Sequence, residues 1–335
     1  MKKLFFISIM LMLTVVASAK SYKIGPSSVA GMNFASINAA MSFVSAGDTL
    51  LLDKAYKETS EQTVTKAVVI IGNGFDTTTS TIAQVSTLSL NADGIHVNSL
   101  YVTKVKFYNI DCRLYRCFVG TSASWDGSSA PTGSNSIHSC YFTGTISGES
   151  STAIFDIQNT ILYTKTHNVI YKLTNSNICH CIIYGTSAGY DNRYLIQSVT
   201  SSTITDNIID NYGSYNESCT ISNFEVSSMN TIHHNVMSGF KNTTNFPLNI
   251  VGKSLSSICN CSGTTVSGTY FELRPGSPAE NYASDGSDCG IFGGLYPYVN
   301  YGRPIYVPYF TNINVPAKAT NGTLPISVTV EVQNK

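Results

Sequence analysis

Apolar and polar positions recur in step along the middle of the chain. The segments "SIHSCYF" (136–142), "NICHCII" (177–183), "TITDNII" (203–209), "TIHHNVM" (231–237) and "SICNCSG" (257–263) each place an isoleucine, two variable residues, then Asn or Cys. The isoleucines are Ile137, Ile178, Ile204, Ile232 and Ile258, and the Asn/Cys column is Cys140, Cys181, Asn207, Asn235 and Cys261. An apolar residue follows two places on at Phe142, Ile183, Ile209 and Met237, and lapses at Gly263. The last three intervals are 26, 28 and 26 residues. The first, 41 residues, is either one coil with a long loop or two tight coils, the second supplied by "IQNTIL" (157–162).

A unit of this size cannot bury its own apolar face, so the units must stack. Further apolar strands precede the columns: "VIYKL" (169–173), "YLIQSV" (194–199), "SNFEV" (222–226) and "LNIV" (248–251). Three short strands per coil with a polar ladder at one bend describe an all-β, right-handed parallel β-helix. Leucine-rich repeats share the period but need Leu-dominated columns. Stacked Asn side chains can bond neighbouring coils and satisfy buried amides at the bend, and Cys keeps a small buried filler there. Coils about 4.8 Å apart fall within the span of a disulfide, although Asn207 and Asn235 separate Cys181 from Cys261. Strand alternation puts His233 and His234 on opposite faces. The pair therefore reads as variable surface residues, not as two ligands of one metal.

The ends differ. Phe34, Ile37, Ala40, Met41 and Val44 follow helical spacing, so a helix is expected over about 34–46, stopped by Gly47 and plugging the open end of the coil. Strands are expected at 49–52 and 68–71. "MKKLFFISIMLMLTVVASA" has the charge, apolar run and Ala17-Ser18-Ala19 order of a signal peptide cleaved after Ala19. That predicts a secreted or periplasmic protein without a membrane span. The expected organisation is a signal peptide over 1–19, the β-helix over 20–298, and a proline-containing extension over 299–335 with the alternating strand "LPISVTVEV" (324–332).

Composition narrows the function classes. The 335 residues carry 20 basic and 20 acidic side chains, so no basic footprint for nucleic acid is present. The 43% apolar content is ample for a core. Nine cysteines in an exported chain leave at least one thiol without an intrachain partner. The C-x-C pairs Cys179/Cys181 and Cys259/Cys261 are tighter than usual structural zinc spacing.

The helix followed by "AGDTLLL", "AYKE" and "VVIIGNGF" resembles the opening of the pectate-lyase-like β-helix superfamily. "LRPGSPAENYASDGSDCGIFGGLYPY" (273–298) resembles the closing segment of secreted bacterial β-helix proteins of mostly unassigned activity. The resemblance implies that this segment forms the last turn. Asp285 and Asp288 fall short of the six to eight oxygens calcium takes, so no cofactor is expected.

Enzymes of that superfamily cleave acidic polysaccharides. Its hydrolases use neighbouring aspartates, including an adjacent pair, and this chain has no Asp-Asp. Its calcium-dependent lyases need an acidic cluster with an Arg base, and the five arginines do not match that motif. A row for holding a sugar chain remains. Alternation turns Lys172, Gln197, Glu225 and Asn249 outward, on the strand whose outer groove carries substrate in the superfamily. Arg193 and Tyr194 extend it, and Trp125 is either a buried lid anchor or an exposed stacking platform. The leading expectation is a monomeric, non-catalytic protein binding a polysaccharide or cell-surface glycan. The alternatives are a polysaccharide lyase or glycoside hydrolase, and a structural or adhesive spacer.

Overall fold

The computed structural model describes residues 19–76, 81–148, 151–164, 169–185, 195–211, 229–238, 248–261, 268–302, 309–314 and 327–331. The strands of its two large sheets run parallel and stack coil upon coil. Sheet A comprises, among the described residues, ten strands: Ser21–Ile24, Thr49–Leu52, Val69–Ile71, His96–Asn98, Arg113–Tyr115, Asn135–His138, Phe155–Gln158, Asn177–Cys179, Thr203–Thr205 and Thr231–His233. Ile137, Ile157, Ile178, Ile204 and Ile232 lie in register across it. The 41-residue interval is thus two coils, of 20 and 21 residues, with Ile157 supplying the extra step. Each fully buried isoleucine contributes about 1.5–3 kcal/mol, and the coil interior is one continuous apolar column.

Sheet B divides. The long strand Phe118–Trp125 pairs with Tyr141–Phe142 along its first half and with Thr145–Gly148 along its second. From there each coil carries a second face (Tyr141–Phe142, Ile161–Thr164, Ile182–Gly185, Ile208–Asn211, Val236–Ser238, Ile250–Val251) and a third face (Thr145–Gly148, Ile170–Tyr171, Ile196–Gln197). Gly144 marks the division. A Cβ there would stand 1.7 Å from the Thr121 carbonyl oxygen and 2.3 Å from its carbon. Because backbone, not a side-chain tip, blocks it, Gly144→Ala is expected to cost about 3 kcal/mol, read as a drop in the denaturant midpoint.

The bend between sheet A and the second face repeats in each coil. Its first residue is left-handed: Ser99, Arg116, Ser139, Asn159, His180, Asp206, His234 and Leu248 have φ between 49° and 63°. Each costs a non-glycine residue roughly 1–2 kcal/mol. The amides of Ser99, Arg116, Ser139, Asn159, His180 and His234 offset this by donating to a carbonyl of the next coil. After Ser99 comes the core residue Leu100; from the next coil on, the residue after the corner forms the ladder: Cys117, Cys140, Thr160, Cys181, Asn207, Asn235 and Asn249. Asn235 Oδ1 accepts the Asn207 amide at 3.0 Å, Asn207 Oδ1 accepts the Cys181 amide at 2.8 Å, and Asn249 Oδ1 accepts the Asn235 amide at 2.9 Å. Where cysteine replaces asparagine the sulfur plays both parts: Cys140 Sγ accepts the Cys117 amide at 3.4 Å and donates to the His138 carbonyl at 3.2 Å, and Cys181 donates to the Cys179 carbonyl at 3.2 Å. A second, shorter ladder leads into sheet A. There Asn135 accepts the Cys112 amide at 2.9 Å, Ser202 the Ser176 amide at 3.0 Å, and Asn230 the Ser202 amide at 2.9 Å. The eight described cysteines are free thiols, so the stacked Cys117 and Cys140 make no disulfide.

Several expectations are corrected. Asn249, expected on the outer row, is a ladder member, because the coil that follows Asn235 closes in only 14 residues. Cys261, expected in the ladder, lies outside it. Ile258 ends a helical turn, Leu255–Ile258, and the Cys261 amide bonds the Tyr270 carbonyl at 3.0 Å. The helix expected over 34–46 is a single turn, Ile37–Ala40, capped by Ser36. Its Asn38 side chain accepts the Thr63 amide at 2.7 Å and donates to the Glu61 carbonyl at 3.0 Å on strand Lys57–Val64. His233 and His234 do not diverge: left-handed backbone at His234 breaks the alternation, and their Nδ1 atoms meet at 2.7 Å. The extension beyond 298 holds two antiparallel strands, Tyr309–Asn314 and Ser327–Glu331.

Residues 273–298 do not form a last turn. After the antiparallel bridge from Cys259 to Leu273, the chain runs back along the outside of the coils. Tyr282 bonds the Leu248 carbonyl, Ser284 bonds Asp206, and the Asp288 carbonyl meets His180. Asn159 then donates to the Ile291 and Gly293 carbonyls, and Ser139 to the Tyr296 carbonyl. A second apolar core lies beneath: Ile161, Ile182, Ile208 and Val236 on the outer side of the second face, packed with Phe271, Ala279, Cys289, Ile291 and Tyr298. The strands of the second face are apolar on both sides because both sides are covered.

Candidate functional site

The outer side of the third face, continued by strands Lys57–Val64, Gln84–Leu90 and Tyr101–Phe107, carries one polar column in register. It runs Thr63, Ser89, Lys106, Ser124, Ser147, Tyr171, Gln197. A parallel column runs Glu61, Thr87, Lys104, Ser122, Thr145. Alternation builds both: Val105 and Phe107 turn inward, so Lys104 and Lys106 turn out. The serines are short and sunk between longer neighbours, leaving the lysines, Glu61, Tyr171 and Gln197 to reach solvent.

The charges on this face pair. Lys106 Nζ stands 3.1 Å from Glu61 Oε2, and Ser89 donates to Glu61 Oε1. The Ser89 hydroxyl and then the Lys106 ammonium hold Glu61 below its usual carboxylate range. The hydrogen bond to Glu61 in turn raises Lys106. Glu61 therefore remains an anion and Lys106 a cation near neutrality. Neither is set to exchange a proton, which general acid–base chemistry requires.

The expected row is brought together only in part. Gln197 faces outward in the column. Lys172 does not share its register: Tyr171 is its neighbour, and Lys172 and Ser198 both turn left-handed with φ 54° and 56°. The Lys172 ammonium instead lies 5.2 Å above the Tyr171 ring. Trp125 ends its strand with 4% exposure, buried in the interior and donating Nε1–H to the Ser129 carbonyl at 2.9 Å. It is the buried anchor and offers no stacking face. Arg193, Tyr194 and Glu225 lie outside the described residues.

Sequence reasoning missed Lys104, Lys106 and Glu61, although "YVTKVKF" shows the alternation that exposes the lysines. It also missed a cluster on sheet A. There the Asp156 carboxylate accepts from His138 Nε2 at 2.8 Å, Gln158 Nε2 at 2.8 Å and Asn177 Nδ2 at 2.9 Å. Burial pushes Asp156 up, but these three donors together hold it below the usual range. The Tyr296 ring stacks on His138, 4.3 Å between centroids. The cluster spans three coils, so no linear motif announces it. Among the described residues, no group of three or more His, Cys, Asp or Glu is placed to hold a metal. No helix among them is long and apolar enough to cross a membrane.

Fold and register define a parallel β-solenoid protein with a polar outer face. Neither the protein-family models nor the curated proteins compared with the chain gave a match.

Proposed function

We propose that this is an exported, monomeric, non-catalytic glycan-binding protein of the right-handed pectate-lyase-like β-helix type, its helical turn at 37–40 plugging the first coil. The glycan lies along the third face. The observation that carries this reading is the register of Lys106, Tyr171 and Gln197 in one column, with Glu61 and Lys104 in the column beside it: solvent-reaching polar side chains on a single face, spaced by whole multiples of about 4.8 Å. Repeated polar groups at a fixed spacing suit a repeating polymer of hydroxyls. Lys104 and Lys106, the latter paired with Glu61 and close to Asp126, offer cations to an acidic chain. An ionised Glu61 and a protonated Lys106 suit recognition better than hydrolysis or proton abstraction.

The test uses residues 20–335 against neutral and uronic-acid polysaccharides. Binding, newly formed reducing ends and the absorbance of unsaturated uronate are followed together. The expected result is binding to an acidic chain without turnover, weakened about tenfold in Lys106→Ala, the loss of one charge-assisted contact. Turnover abolished by Glu61→Gln or Lys106→Ala would overturn the non-catalytic reading in favour of a lyase or hydrolase. Neither binding nor turnover would favour the spacer.

A further inference from the structure

The first strand, Ser21–Ile24, ends sheet A and pairs in register with Thr49–Leu52. One residue before that register, Lys20 meets Asp48. The Lys20 backbone nitrogen donates to Asp48 Oδ1 at 2.7 Å, and the Thr49 amide donates to the Lys20 carbonyl at 2.8 Å. Asp48 Oδ2 accepts the Ser45 amide at 2.7 Å, which ties the chain leaving the helical turn Ile37–Ala40 to the start of the second strand. Asp48 is 4% exposed, whereas Lys20 lies at the surface. Lys66, whose charge also reaches Asp48, donates its ammonium N–H to the Val44 carbonyl. The Ser45 amide and then the Lys20 amide hold the Asp48 carboxyl below its usual range in spite of burial, so it is an anion at neutral pH.

Two independent observations meet at Lys20. Charge, apolar run and Ala17-Ser18-Ala19 set a cleavage point between Ala19 and Lys20 from sequence alone. The fold aims the nitrogen of that same peptide bond at a buried carboxylate. A cut one residue to either side would carry the new terminus about 3.8 Å along the chain from Asp48. Hydrolysis of the bond consumes one water. The Ala19 carbonyl carbon takes its hydroxyl and the Lys20 nitrogen its hydrogen. Near neutrality the new carboxyl then ionises and the new amine is protonated, so an amide with one N–H becomes an ammonium with three.

We propose, on the reading of the chain as exported, that cleavage by a signal peptidase completes the fold as well as releasing it: the new Lys20 α-ammonium docks on Asp48 and locks the first coil. One N–H keeps the direction that the amide holds. The other two reach solvent, because Lys20 is at the surface, so the charge is paired without losing all its water. The gain is the attraction of a full positive charge at hydrogen-bond distance from a buried anion, where the protein screens less than water does. The uncut chain keeps the amide's bond and lacks that charge, so its first coil closes less firmly. Chain termini fray unless tied down, and the lock falls on the strand that ends the sheet.

The measurement is hydrogen-exchange protection in residues 20–335, released from a cleavable fusion so that Lys20 carries a free amine, against residues 17–335, which keep Ala17-Ser18-Ala19. The amides of Ser45, Thr49 and Val69, bonded to Asp48 Oδ2, the Lys20 carbonyl and the Asp48 carbonyl, are the reporters. The ladder amides of Cys181 and Asn207 report on the later coils. Reporter protection is expected to be about tenfold higher in residues 20–335, with ladder protection equal in the two. In Asp48→Asn, which cannot ionise, the difference between the two lengths should disappear. Equal reporter protection in the two lengths overturns the proposal, as does a difference that persists in Asp48→Asn. If Asp48→Asn does not fold, residues 19–335 decide. One added residue moves the ammonium off Asp48, so protection must drop to the level of residues 17–335, and protection as high as in residues 20–335 overturns the lock. Export is tested separately, by the intact mass of the chain recovered after secretion of residues 1–335 from a bacterial host. A mass that begins at Lys20 supports the cleavage; any other terminus, or an uncut chain, overturns it even where the exchange result holds.

Discussion

Asn235→Ala is expected to lower the stability of the solenoid by about 4 kcal/mol, the largest loss for removing one polar side chain. Asn235 is fully buried. Its Oδ1 accepts from the Asn207 amide at 3.0 Å and from Asn207 Nδ2 at 2.9 Å. Its Nδ2 donates to the Ile204 carbonyl at 2.8 Å and the His233 carbonyl at 3.0 Å. Truncation strands at least one amide and one carbonyl at a fully buried position, at about 1–3 kcal/mol each, and leaves a small void besides. Asn235→Cys should lose less, because cysteine fills the same position in the coils of Cys140 and Cys181 and its thiol still donates. Burial holds these ladder thiols well above the ordinary range, so they keep the proton they donate. Urea midpoints of the three proteins check the order. Exchange at the Asn207 amide locates the damage. Equal losses in Ala and Cys would mean that the site needs a filler and not a donor.

Trp125→Ala carries the second large effect, about 3–5 kcal/mol of stability. The indole sits in the main core, and Gly127 folds against it so closely that a Cβ there would stand 2.4 Å from Cζ2. Trp125→Phe keeps most of this contact and forfeits the bond to Ser129, so about 1 kcal/mol should be lost. Glycan binding by Trp125→Phe should match the parent protein. Weaker binding by a stably folded Trp125→Phe would return this residue to the ligand surface.

What could be read along the chain was whatever repeats with fixed chemistry. The Ile-x-x-Asn/Cys rhythm is visible because each of its positions does one job in every coil: Ile178 fills the interior, His180 turns the corner, Cys181 meets the amide of the preceding coil. "IQNTIL" stood only as one of two readings of the 41-residue interval, because at Thr160 a hydroxyl does the work of asparagine with a different side chain. Cys261 deceived for the converse reason, since the local pattern returned where the backbone had become helical. The third face was misjudged by one residue. Strands of two residues, such as Ile170–Tyr171 and Ile196–Gln197, are too short to display alternation. The left-handed residues after them reverse the side-chain direction without leaving a glycine as a marker. The Asp156 cluster and the covering segment were invisible because they depend on neighbours 18 to 157 residues away. The double-sided burial of the second face did leave a trace. "ILYT" and "IIYG" lack the polar alternation that a solvent-facing strand would show.

The covering segment imposes an order of events on the making of the molecule. Ser139 meets the Tyr296 carbonyl across 157 residues, and Asn159 reaches the Ile291 carbonyl across 132. Contacts between adjacent coils span 14 to 28 residues. Local stacking is the quicker event, because short loops close at lower entropic cost. A chain emerging N-terminus first therefore has its coils assembled before the residues that seal the outer stripe of Ile161, Ile182, Ile208 and Val236 exist. During that interval the stripe is a hydrophobic surface open to other chains. The last third of synthesis converts an adhesive intermediate into an inert rod.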